Sequence, residues 1–121
     1  MADPKAGSPY TPIVAAGDWL AVSGQIGQVD GIIVDGGLVA QTKQALENLK
    51  TVLHAQGANL DDVVKTNVFL TSMDDFAAMN EIYVEHFNAP RPARSTVAVT
   101  ALPFGAVVEI EAWGYLGKHR A

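Results

Sequence analysis

The chain has 121 residues, 49% of them hydrophobic and only 17% charged, with a formal net charge of −5. That is one domain with chain enough for a real core, and its sparse charge leaves apolar surface that an oligomer would hide. The acidic balance argues against nucleic acid as the main partner, and the absence of cysteine excludes a disulfide framework, a thiolate metal site and a cysteine nucleophile.

The opening MADPKAGSPY has no apolar h-region and no run reaches membrane-spanning length, so a cytoplasmic setting is expected. Residues 11–16 read as a short strand, Gly17-Asp18 as a hairpin turn, and residues 19–23 as the returning strand, ending in Gly24. A Gly- and Asp-rich connection over 25–38 holds Ile32-Ile33-Val34, a candidate edge strand. From 39 to 56, Ala45, Leu46, Leu49, Val52 and Leu53 recur at helical spacing, and Gly57 supplies a C-terminal stop. Residues 63–71 are rich in β-formers and follow the Asp61-Asp62 turn. Ser72 with Asp75 resembles a capping box opening a second helix, its buried stripe Phe76, Met79, Tyr83 and Phe87, ended by Pro90 and Pro92. The order is β-β-(β)-α-β-α-β-β, a single α+β domain over 1–121. Two helices cannot cover both faces of such a sheet, so both should lie on one face and leave the other for a partner.

The last stretch, PARSTVAVTALPFGAVVEIEAWGYL, reads as two strands around a Leu-Pro-Phe-Gly turn. Alternation places Val107, Glu109, Glu111, Trp113 and Tyr115 on one face and Val108, Ile110, Ala112 and Leu116 on the other. Carboxylates mixed with large aromatics suit a face covered by another subunit with a polar pocket left open, because an unpaired carboxylate in a dry interior is very costly. Arg94 offers a planar fork for a carboxylate, against the plainer alternative of a surface ion pair. Glu109 could orient a water and take its proton, or pair with a neighbour's cation. His54, His86 and His119 do not have metal-ligand spacing, and VDGGLV lacks the dinucleotide fingerprint, so neither metal nor cofactor is expected.

The runs PARSTVAV, LPFGA and VEIEA resemble the C-terminal signature of the RidA/YjgF/UK114 family of reactive-imine deaminases. Ser8-Pro9-Tyr10 and Ser23-Gly24-Gln25-Ile26 resemble its N-terminal elements, and the likeness spans about residues 10–116. It implies a chorismate-mutase-like α+β fold in homotrimers with ligand clefts between subunits. It also implies cofactor-free hydrolysis of small 2-imino or enamine acids to 2-keto acids and ammonia. On the matching positions it makes Arg94 the carboxylate anchor, Glu109 the water-positioning group and Tyr10 a pocket hydroxyl, with Thr96, Ser23, Gly24 and Asn80 lining the ligand. Thr96 departs from the cysteine of many relatives, which leaves pocket polarity open. Rival readings are a deaminase of another small acidic substrate, a trimeric carboxylate-binding module, and a ribonuclease, the last disfavoured by acidity.

Overall fold

The computed structural model describes residues 8–119, so the reading of the opening MADPKAG lies outside the described residues. Strands β1 (Ile13–Ala16) and β2 (Trp19–Ile26) form a hairpin across Gly17, whose φ of 60° lies in the left-handed region that glycine enters without steric cost. The remaining main strands are β5 (Val63–Leu70), β6 (Ala93–Ala98) and β7 (Val108–Tyr115), in the sheet order β1-β2-β7-β5-β6. Pairing is antiparallel throughout except for β5 and β6, which run parallel across a helical connection. Among the described residues β6 therefore has a hydrogen-bonded neighbour on one side only.

Helices α1 (Gly37–His54) and α2 (Phe76–His86) pack on one face of this mixed sheet, giving the α+β architecture expected. Ala45, Leu46, Leu49, Val52 and Leu53 of α1 meet Val68, Leu70, Val108, Ile110 and Ala112 of the sheet in one core. A buried 2.6 Å hydrogen bond between the Thr66 and Tyr83 hydroxyls ties α2 to β5. The opposite sheet face carries Trp113, 45% exposed, beside Trp19 and Tyr115, whose rings lie 4.8 Å apart.

Several local expectations are corrected. β2 does not stop at Gly24 but continues to Ile26, with a register shift against β7 between Val22 and Gln25. Such a bulge lets a strand change direction without ending. The segment around Ile32 is not an edge strand of the main sheet: among the described residues β4 (Ile32–Ile33) pairs only with β3 (Gln28–Val29). Asn48 of α1 holds that hairpin by donating to the carbonyls of Ile26 and Gln28 at 3.0 and 2.9 Å. The capping box at Ser72 does not form either. Ser72 accepts from the Asp74 N–H at 3.1 Å and opens a 3-10 turn, Met73–Asp75, so α2 starts one turn later without a side-chain cap. Met79, Tyr83 and Phe87 are buried as expected, whereas Phe76 is 36% exposed and turned to another use.

Candidate functional site

Along β7 the observed burial alternates, with Val108, Ile110 and Ala112 buried and Glu109, Glu111 and Trp113 more exposed. Glu109 therefore projects from the sheet face away from the helices, into a cleft of about 540 Å³ that Tyr10, Ser23, Gly24, Pro103 and Phe104 also line. The β2 bulge shapes its floor. A Cβ on Gly24 would come within 2.5 Å of the Glu109 carboxylate oxygen, so this glycine leaves the space the carboxylate occupies. Among the described residues Glu109 has no ion pair or hydrogen bond, whereas Glu111 accepts from Asn67 Nδ2 at 2.9 Å and so serves the sheet. Burial first, and the charge of Glu111 second, push the Glu109 pKa above the ordinary carboxylate value.

The Ser23 hydroxyl donates to the Thr11 carbonyl at 2.7 Å, so its proton serves the backbone of the cleft wall. Tyr10 is exposed at the rim. Gly24→Ala is expected to fold but to push the Glu109 carboxylate aside, at a rotamer cost of about 0.5–1.5 kcal/mol. Carboxyl NMR titration would read this as a Glu109 pKa moved back toward the ordinary value. An unchanged titration curve would mean that Gly24 does not set the carboxylate's position.

Arg94 lies elsewhere. It pairs in register with Thr66, a buried residue of the helix-covered face, and its guanidinium stacks 4.8 Å from the Tyr83 ring and 5.6 Å from that of Phe76. Those rings sit seven residues apart on α2 with Asn80 between them, so all three share one side of the helix. Thr96 is the next residue of β6 on the face of Arg94. The Asn80 Oδ1 and Thr96 Oγ1 atoms are buried and have no hydrogen-bond partner among the described residues. The Arg94 guanidinium makes no ion pair or hydrogen bond among the described residues. Cation–π contact orients the fork while leaving its N–H donors open. An open fork beside a buried acceptor and a buried hydroxyl is equipped to hold a small carboxylate with an N–H or O–H substituent.

One chain therefore does not bring the candidate residues together. Tyr10, Ser23, Gly24 and Glu109 form one group; Arg94, Thr96 and Asn80 form another, on the opposite sheet face and two strands away. The sequence reading overlooked Phe76 and Tyr83 as the platform for Arg94. Their signal was a pair of aromatics flanking Asn80 at helical spacing. It also overlooked Phe104, whose signal was an aromatic inside a Pro-Phe-Gly turn.

Residues 1–115 match the family described as Endoribonuclease L-PSP. The chain is 46% identical over 115 residues to a RutC family protein of Pyrococcus horikoshii, covering 93% of this chain and 90% of that one. It is 45% identical over 111 residues to the 2-iminobutanoate/2-iminopropanoate deaminase of Mus musculus, covering 90% and 82%. The crystal structure of RidA from the Antarctic bacterium Psychrobacter sp. superposes with a TM-score of 0.83 at 41% identity, covering 93% of each chain.

Proposed function

The chain belongs to the endoribonuclease L-PSP family, which includes the RidA and YjgF proteins, and from that footing we propose that it is a cofactor-free imine deaminase. Its substrates are small 2-imino acids and their enamine tautomers, such as 2-iminobutanoate, 2-iminopropanoate and 2-aminoacrylate. The observation that carries this reading is Glu109, a partly buried carboxylate with a raised pKa and no partner among the described residues, at the floor of an open cleft.

Arg94 grips the substrate carboxylate through its fork, while Asn80 Oδ1 and Thr96 Oγ1 take up neighbouring polar atoms. Glu109 orients a water toward the imine carbon and accepts its proton as the C–O bond forms and the C=N electron pair moves to nitrogen. The protonated Glu109 then returns that proton to nitrogen. Glu109 next takes the hydroxyl proton of this carbinolamine as C=O forms and passes it to the nitrogen, so that the C–N bond breaks, ammonia leaves and the 2-keto acid remains. Imines already hydrolyse in water, so positioning and one acid-base group suffice to be useful. Tyr10 offers a hydroxyl at the rim. Because Arg94 and Glu109 sit on opposite faces of one sheet, the working site joins halves from neighbouring subunits, in a trimer whose contacts cover the face around Trp113.

The test generates the imine with an amino-acid oxidase and traps the unhydrolysed fraction with semicarbazide. Wild-type protein should lower semicarbazone formation. Glu109 works as the anion, so the catalysed rate should fall as pH drops through its raised pKa, a midpoint above the ordinary carboxylate range. Glu109→Gln should abolish that acid limb together with most of the rate, while still binding carboxylates.

A second reading draws on the Arg94 group alone: an open fork with its orphaned neighbours could bind small carboxylates without any chemistry at Glu109. Binding without any effect on semicarbazone formation would select it. A cytoplasmic setting is part of the proposal, checked by fractionation; no helix among the described residues is long and apolar enough to cross a membrane.

A further inference from the structure

Packing within the chain does not account for Phe104. It is 77% exposed, and its φ of 58° lies in the left-handed region, which a bulky residue enters only at a cost. The loop around it is nevertheless firmly held. The Ala106 N–H donates to the Pro103 carbonyl at 3.1 Å, and the Val107 N–H donates to Oε1 of the buried Gln41 at 2.9 Å. A strained, exposed ring on an anchored loop points to a surface that meets something else.

Phe104 and Pro103 form part of the wall of the Glu109 cleft, where Tyr10, Pro12 and Ile26 add further apolar surface. In the single chain the cleft measures about 540 Å³, within the roughly 300–1,000 Å³ of pockets that take drug-sized ligands, before a neighbouring subunit's Arg94 group enters it. With the imine carbon held near the Glu109 water, a substrate side chain has this wall to lie against.

We propose that Pro103 and Phe104 form an apolar side-chain subsite, so that the protein prefers 2-imino acids with aromatic or branched apolar side chains over 2-iminopropanoate. This rests on the deaminase reading and names the members of that substrate class the cleft fits best. Phe104 is the specificity-determining residue, since its ring contributes apolar area that a small side chain cannot use.

The experiment compares kcat/KM for imines made by an amino-acid oxidase from phenylalanine, leucine and alanine, read by semicarbazide competition. Wild-type protein should favour the first two. Phe104→Asn removes the ring while tolerating a positive φ, and should lower the phenylalanine-to-alanine ratio by about 10-fold or more. Phe104→Tyr keeps the ring and should keep the ratio. A ratio unchanged by Phe104→Asn, or a wild type that favours the alanine-derived imine, overturns the subsite and leaves deamination standing. If no imine is hydrolysed, the deaminase reading fails by itself. Calorimetry with phenylpyruvate and pyruvate then decides the subsite: tighter phenylpyruvate binding lost in Phe104→Asn supports it, and equal binding overturns it.

Discussion

Arg94→Ala is expected to abolish the suppression of semicarbazone formation. In its proposed role the side chain is a charge-assisted clamp worth about 2–4 kcal/mol, or roughly 30- to 1000-fold in kcat/KM. Arg94→Lys should also be poor. A guanidinium can lie flat on the Tyr83 ring, 4.8 Å away, and still present two parallel N–H donors; an ammonium cannot do both. The fold should survive both changes, because Arg94 has no ion pair or hydrogen bond among the described residues and stands on an edge strand. Calorimetric titration with a small 2-keto acid separates the possible causes. Weak binding with a residual rate at saturation assigns Arg94 to the clamp, whereas unaltered binding and rate would remove it from the site.

The second large effect is restoration. Arg94→Ala and Glu109→Gln proteins should each be nearly inactive alone, yet regain activity when unfolded together and refolded as a mixture. Each cleft would take its arginine from one subunit and its glutamate from the next. Random mixing of equal amounts in a cyclic trimer then gives about a quarter of the clefts both intact groups. A site confined to one chain would recover nothing. Light scattering on the refolded mixture should show trimers, and a monomer at micromolar concentration would reject the shared cleft outright. The geometry behind this expectation is the placement of Glu109 and Arg94 on opposite faces of the same sheet.

The β7 alternation was legible in the sequence because one face is buried and the side-chain period is two, so Glu109 and Glu111 were fixed to the outer face before any coordinates. The α1 core positions were legible for the same kind of reason, a clean helical stripe. The face taken by Arg94 was not. It depends on the parallel register of β6 against β5, a long-range pairing that no local pattern encodes. Phe76 looked like a core residue because hydrophobic spacing does not distinguish a ring packed against apolar neighbours from one packed against a cation. The late start of α2 was hidden because Ser72 can cap a 3-10 turn as readily as an α-helix. The Gly24 contact with Glu109 arises from a bulge, and a bulge is invisible until both partner strands are known.

Strand β6 carries a further consequence, for the protein's life in a crowded solution. Its outer edge, Ala93–Ala98, pairs with no strand among the described residues, and Val97 adds an exposed apolar side chain. An open edge of this kind is a template for indiscriminate strand addition. A solitary subunit would thus be adhesive, and the strand that carries Arg94, the proposed carboxylate anchor, would be its stickiest part. Selection to keep that edge covered would act on solubility, and would persist even in a descendant that had lost its chemistry.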